Sequence, residues 1–225
     1  MLDACDHLIL VSVDRNKLSV DPQKVTFLPN GFDAIDFDIK KTDFPEVFTI
    51  CYTGTIANSY PTAQLLKAFK SLRSHTAFKL LFVGKVTETV KKDFSDCLED
   101  AVEFVDFVSH REAIDFMISS WVLLLMIPQT ENSRFIIPGK VFEYLATGRS
   151  VLVVGSPDSI AAQIVRQANA GAAFDDDDAA GMTDYLFQQY QSYLDRKYPE
   201  TDFNFIQGFS RKSLTAKIAG IIFEC

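Results

Sequence analysis

The segment VLLLMIPQTENSRFIIPGKVFEYLATGRSVLVVG, residues 122–155, decides the fold. It opens on a continuous apolar run, 122–127, and closes on another, 151–154. Between them lie a polar loop, a Pro-Gly pair and a helical stretch that starts at Lys140 and stops at Gly148. A short run that is apolar at every position suits a strand covered on both faces of a parallel sheet. Strand, helix and second buried strand make one βαβ unit.

The same order recurs on both sides of this unit. Residues 48–52 read as a strand, Gly54 as a turn, and about 62–74 as a helix with Leu65, Leu66, Phe69 and Leu72 on one face. A second strand, 78–83, is closed by Gly84 and followed by a helix to about residue 98. A third strand is expected at 102–107, with a helix near 111–119 behind it. Beyond the opening segment come a helix at about 159–168, an apolar piece at 172–174, and helices at roughly 179–196 and 211–223. The pattern predicts an α/β fold with a doubly wound parallel sheet of Rossmann-like type. Such sheets bind ligands beyond the carboxyl ends of their strands, which places Gly54, Gly84, the loop 128–139 and Gly155 along one rim.

The first 45 residues do not follow this alternation. Residues 8–13 and 24–28 look like strands, Pro29-Asn30-Gly31 marks a turn, and the polar stretch 33–45 reads as a linker. No internal repeat is present.

Composition narrows the functional classes. A chain of 225 residues with 48% hydrophobic content can bury a sizeable core. The net charge of -8, with no Lys/Arg-rich stretch, argues against nucleic acid as a partner. No apolar run approaches the ~20 residues of a membrane-spanning helix, and no basic n-region leads into a secretory signal. Cys5, Cys51, Cys97 and Cys225 are scattered without CxxC pairs and read as reduced thiols, so a cytoplasmic setting is expected.

The candidate site residues follow from the rim. If Lys140 begins a helix, Val141, Phe142, Leu145 and Ala146 share one face, and Lys140, Glu143 and Thr147 share the other. The helix N-terminus and the lysine suit a phosphate, and Glu143 could accept hydrogen bonds from ribose hydroxyls. The alternative is a solvated polar face with a weak Lys-Glu pair. Gly54 and Gly84 fit a phosphate or sugar cradle, or equally plain strand-to-helix turns. Neither glycine belongs to a dinucleotide or P-loop fingerprint. His7, His75 and His110 lack metal-ligand spacing and read as surface or edge residues; Ser12, Ser109 and Ser156 lie in no nucleophile elbow. The acidic run 175–178 reads as a solvated loop, with Asp178 capping the next helix.

Several stretches resemble the retaining GT-B glycosyltransferases of the family-4 (group 1) type. KVTFLPNGFD, 24–33, looks like their linker entry; FTICYTGTI, 48–56, and FKLLFVGKV, 78–86, look like the first two strand-and-glycine loops of their donor-binding domain. VEFVDFVSHREAIDFMISSWVLLLMI, 102–127, is similar to the strand, helix and strand that follow. IPGKVFEYLATGRSVLVVG, 137–155, is similar to a Pro-Ser-Lys…Glu-Tyr-Leu-Ala…Gly-Pro variant of the family's motif. NAGAAF and FSRKSLTAKIAGII also stand where that family places them.

The resemblance implies one half of a GT-B fold: residues 46–225 as a Rossmann-like domain for a nucleotide-sugar donor, and residues 1–45 as a remnant of the acceptor-binding domain and linker. It implies transfer of a sugar from a nucleoside-diphosphate sugar to a hydroxyl acceptor, glycan or lipid-linked, with retention, as in polysaccharide biosynthesis. Lys140 would sit near the diphosphate and act in catalysis. Glu143 would hold the ribose; Gly54, Thr55 and Gly84 would line the donor pocket, and Gly139 would open the helix. No metal or other cofactor is required. With the acceptor domain elsewhere, this chain alone is expected to be nearly inactive, and any membrane contact to be peripheral and through that other domain. Two departures stand out: Phe135 occupies the position of the family's first motif acid, and the usual basic residues after the first strand are absent, with Lys85 or Arg134 as possible substitutes. They leave a second reading open, a non-catalytic nucleotide-binding or interaction subunit.

Overall fold

A computed structural model describes residues 5–12, 20–37 and 44–224 of the chain. Its main body is a six-stranded parallel sheet in the order β5-β4-β3-β6-β7-β8. The strands are β3 (Thr49–Thr53), β4 (Lys79–Val83), β5 (Val102–Val105), β6 (Val122–Met126), β7 (Ser150–Val154) and β8 (Gly171–Phe174). The chain winds outward from β3 to β5, returns to lay β6 beside β3, and winds outward on the other side. The doubly wound parallel sheet expected from the pattern is therefore present.

Connecting helices cover both faces: α1 (Ala63–Arg73), α2 (Glu88–Leu98), α3 (His110–Ile118), α4 (Lys140–Ala146), α5 (Ile160–Gln167) and α6 (Ala179–Leu194). Strand β6 shows why its sequence has no polar interruption. Val122, Leu124 and Met126 face a core shared with α1, α2 and α6, through Leu65, Phe69, Phe94 and Leu186. Leu123, Leu125 and the following Ile127 face a second core with α3, α4 and α5, through Met117, Phe142 and Val165. Alternate side chains leave opposite faces of a strand, and here both faces are dry. Each such fully buried side chain contributes about 1.5–3 kcal/mol of transfer free energy.

The N-terminal piece forms a separate parallel pair, β1 (Leu8–Leu10) with β2 (Val25–Phe27). Residue 13 of the expected first strand lies outside the described residues. Of the expected linker, residues 34–37 form a 3-10 turn, and 38–43 lie outside the described residues. The segment just before it is pinned to the C-terminal part: the Phe32 N–H donates to the Phe209 carbonyl at 3.2 Å, and the Arg211 N–H donates to the Phe32 carbonyl at 2.9 Å. Helix α8 (Arg211–Glu224) starts at that contact.

One helix was not anticipated, and two expectations need correction. Helix α7 (Phe203–Gln207), capped by the Asp202 side chain on the Phe205 N–H, is too short to show a period in sequence. Helix α6 stops at Leu194 rather than residue 196, where Arg196 takes a positive φ of 55°. Strand β5 stops at Val105 rather than 107. It pairs only with β4, and β4 ends at Val83, so residues 106 and 107 have no strand beside them.

Gly54 and Gly84 both adopt positive φ, 117° and 124°. A Cβ on Gly84 would lie 2.4 Å from the Gly54 carbonyl oxygen, so the two loops pack backbone against backbone. Gly84→Ala is expected to lower stability by at least about 2 kcal/mol, through strain and this clash. Gly220→Ala, in α8 with open space around it, should instead stabilise by about 0.5–1 kcal/mol. Urea unfolding midpoints of the two variants test the contrast; equal, small shifts would show that the loops can separate cheaply.

Candidate functional site

Strands β3 and β6 pair only at Ile50 with Val122 and Cys51 with Leu123. Here the winding direction reverses, and β3 parts from its neighbour. Past this point the backbone of Thr53 needs other partners, because buried peptide groups left unbonded are costly. Helix α4 supplies them. The Thr53 N–H donates to the Tyr144 hydroxyl at 3.0 Å, and the Thr53 carbonyl accepts from Lys140 Nζ at 2.6 Å.

Around this junction lies a cleft of about 320 Å³. Its floor is the carboxyl ends of β3 and β4, at Thr53, Gly54, Val83 and Gly84. One wall is α3 with the loop before it, at Phe107, Val108, His110 and Met117; the other is α4, at Lys140 and Glu143. Crevices outside the strand ends at the reversal point are where open α/β sheets bind ligands.

Of the six residues singled out in sequence, the fold brings four together in this cleft: Gly54, Gly84, Lys140 and Glu143. Thr55 and Gly139 are outside its lining. Thr55 is exposed, and its carbonyl accepts from the Tyr52 hydroxyl at 2.8 Å. Gly139 is an exposed N-cap without a side-chain bond, in front of a helix of only 7 residues. Gly155 of the expected rim is a packing glycine: a Cβ there would meet Ile127 at 2.9 Å. Lys85 and Arg134, the expected basic substitutes, are exposed and do not line the cleft.

The glycines also differ from a cradle of free amides. The Gly54 N–H donates to Val83 and the Gly84 N–H to Val105, each at 2.8 Å. What they offer a ligand is bare Cα surface and close approach.

The solvated polar face allowed by periodicity is not what forms. Tyr144 is fully buried beside Val141, Phe142 and Leu145, so α4 is enclosed over most of its circumference. Lys140 turns inward, with Nζ 3.9 Å from the centre of the Tyr52 ring. Burial pushes its pKa down to about 8, against the opposing pull of Glu143 and the Cys51 thiol. Cys51 is itself pushed up to about 12 by burial. Glu143 is half-buried, and burial raises its carboxyl; His110, Arg211 and Lys140 act against that rise, and Asp36 adds to it. No ion pair within 4 Å joins Lys140 and Glu143.

Two residues that act on Glu143 were not singled out in the sequence as site residues. His110 was expected only at the surface; its Nε2 lies 3.3 Å from Asp36 Oδ2 while its side chain lines the wall. Arg211, 3.5 Å from Asp33 Oδ2, reaches the field of Glu143 from the far end of the chain. Both come from segments that meet α4 only in space.

Elsewhere the acidic run is structural, since Asp178 Oδ1 accepts from the Gly181 N–H at 2.8 Å and caps α6. Among the described residues no cluster of three or more His, Cys, Asp or Glu could hold a metal ion, and no helix is long and apolar enough to cross a membrane. Cys51 and Cys97 are free thiols; Cys225 lies outside the described residues.

No protein-family model matches the sequence, and no curated protein matches it. Solved structures do match. The fold is similar to that of HepE from Anabaena in complex with UDP, with a TM-score of 0.75 at 12% identity over 98% of this chain and 64% of that one. Sucrose-phosphate synthase from Thermosynechococcus elongatus gives 0.75 at 14%, over 99% of this chain and 59% of that one. The pneumococcal O-GlcNAc transferase GtfA, in complex with UDP and GlcNAc, gives 0.65 at 14%, over 97% and 45%. The chain therefore has the Rossmann-like fold of a GT-B glycosyltransferase domain, and it spans less than two thirds of each of these proteins.

A protonated Lys140 with a pKa lowered from 10.5 to about 8 costs the folded chain stability. The unfolded chain holds the proton more tightly, so the whole cost is present below about pH 8 and disappears as pH rises toward 10.5. Lys140→Met is expected to be more stable than the parent at pH 7 by on the order of 1–2 kcal/mol, and to lose that advantage by pH 10. Thermal unfolding at both pH values measures this; a variant less stable at pH 7 would show the ammonium to be fully compensated where it lies.

Proposed function

We propose that this chain is the donor-binding part of a retaining glycosyltransferase that transfers a sugar from a nucleoside-diphosphate sugar to a hydroxyl acceptor. The observation that carries the reading is the convergence of Gly54, Gly84, Lys140 and Glu143 on one cleft at the reversal point of the sheet. HepE and GtfA, which share the fold, were solved with UDP.

In this reading Lys140 leaves the Thr53 carbonyl and the Tyr52 ring to meet the diphosphate. Its ammonium offsets the negative charge that grows on the leaving group as the sugar bond breaks, the kind of electrostatic assistance that contributes most to such reactions. The bare Cα atoms of Gly54 and Gly84 let the phosphates approach the sheet edge closely. The Glu143 carboxyl, whose rise on burial is opposed by His110, Arg211 and Lys140, accepts hydrogen bonds from the ribose hydroxyls. No metal enters this scheme. The division of the chain near residue 45, with the acceptor side supplied by a separate domain, belongs to the same proposal, as does low activity of this part alone.

A second reading, a nucleotide-binding subunit without turnover, is favoured by a specific observation. Among the described residues, Glu143 is the only carboxylate that lines the cleft. Phe135, at the position where the resemblance implies an acid, lies outside the lining in a 3-10 turn, and its carbonyl accepts from the Ser12 hydroxyl.

Calorimetric titration with UDP, GDP and ADP tests both readings. At least one nucleotide should bind at millimolar concentration or below, and Lys140→Ala should weaken it by about tenfold or more through loss of a charge-assisted contact. Glu143→Gln should weaken UDP but leave its 2′-deoxy analogue nearly unchanged. Binding should also fall as pH rises through the Lys140 pKa of about 8, and this fall should be missing in Lys140→Ala. No binding of any of the three would overturn both readings.

A further inference from the structure

Among the buried side chains of α4, Tyr144 alone carries a polar group. It is fully enclosed, and its hydroxyl meets Thr53 twice. It accepts from the Thr53 N–H at 3.0 Å and lies 3.1 Å from the Thr53 hydroxyl, where either group can donate. Burial pushes the phenol pKa up, so the hydroxyl stays neutral and keeps its proton.

Thr53 is thereby fixed at its amide and at its side chain. Its remaining polar group, the carbonyl, is the one that Lys140 Nζ meets at 2.6 Å. Tyr144 and Lys140 stand four residues apart, about one helical turn, so they close on the two sides of a single residue. The ammonium also takes the space of a side chain at position 54, since a Cβ on Gly54 would lie 2.8 Å from Nζ. Other groups that face Lys140 hold it less directly. Tyr52 of β3 offers only a ring face, and burial keeps its phenol neutral. Cys51 of β3, pushed up to about 12, is a neutral thiol at pH 7. Glu143 of α4 pulls without an ion pair inside 4 Å, and His110 stands on the other wall, on α3. The direct hydrogen bond that keeps the charge in place is the one to the Thr53 carbonyl.

We propose that Tyr144 is a positioning residue of the site: its hydroxyl orients Thr53 so that the Thr53 carbonyl holds the Lys140 ammonium in the cleft, and it keeps the end of β3 closed when that ammonium turns to a phosphate. The inference rests on the donor reading for its purpose and deepens it, while the hold on Lys140 is a property of the free chain.

An NMR titration of the full chain, with its lysines carbon-13 labelled at Cε, reads the midpoint of Lys140 without any ligand; the parent should give about 8. Tyr144→Phe keeps the ring but leaves the Thr53 amide without its acceptor, so the peptide turns and the ammonium loses the carbonyl. The midpoint should drop by about one unit, the size of one charge-assisted hydrogen bond. Pyrophosphate affinity should then stay within about twofold of the parent at pH 6 and fall about fivefold at pH 8. A merely structural role would lower affinity alike at both pH values and leave the midpoint in place. That outcome overturns the proposal, as does a midpoint that rises toward the usual lysine value. In the parent, the Thr53 amide should stay protected from hydrogen exchange when pyrophosphate is bound, because Tyr144 keeps it after Lys140 has left. Loss of that protection overturns the role whether or not the variant folds. A parent chain that binds neither pyrophosphate nor UDP overturns the donor reading, and the midpoint still decides the hold of Tyr144 on Lys140.

Discussion

The grip of helix α4 on Thr53 is the contact on which the site depends. A doubly wound sheet must part where its winding reverses, and here β3 and β6 share only the pairs at Ile50 and Cys51 before they do. The next outward-turned peptide groups would be orphaned in a dry interior. Tyr144 takes the N–H and Lys140 the carbonyl, so the opening is bridged by side chains of one short helix. The cleft is the space left between the bridge and α3.

That solution places a lysine where a lysine is expensive. Its ammonium bonds the Thr53 carbonyl and faces the Tyr52 ring, yet burial still lowers its pKa. In the proposed reading the ammonium exchanges its neutral carbonyl partner for a diphosphate, whose full charge attracts it more strongly. If that reading holds, the arrangement trades stability for function, as strained sites often do. The charge at the cleft is also assembled from distant parts of the chain. Asp36 holds His110 and Asp33 faces Arg211, while the buried Phe32 ties this segment to the start of α8. Any displacement of residues 32–37 would therefore be felt at Glu143.

Much of the fold was legible because its physical demands are local. Central strands buried on two faces must be apolar at every position, and 122–127 and 151–154 have no other reading that also accommodates the glycine-ended turns. Where the demand is not local, the reading slipped. The expected strand runs on through Asp106 to Phe107, and only the early end of β4 shows that no partner is there. Helix α7 is shorter than two periods. Within the site, Gly54 and Gly84 were legible as strand ends, but their amides turned out to be engaged by the neighbouring strands. Lys140 and Glu143 were legible as a pair on one side of a helix, but not the direction that side faces.

The amino-acid sequence by itself determined the alternation of strands and helices, the glycines that end β3 and β4, and the spacing that sends Lys140 and Glu143 out from one turn. Periodicity and backbone sterics act over a few residues, so a one-dimensional pattern carries them. Tertiary structure decided which groups meet. Lys140 bonds a carbonyl 87 residues away, Tyr144 a peptide 91 residues away, and His110 a carboxylate 74 residues away. It also decided that Phe107 stands free in solvent at the cleft wall rather than inside a strand. Those outcomes depend on where β3 and β6 part, where β4 ends and where residues 32–37 dock, properties of the assembled fold that no single stretch of chain contains.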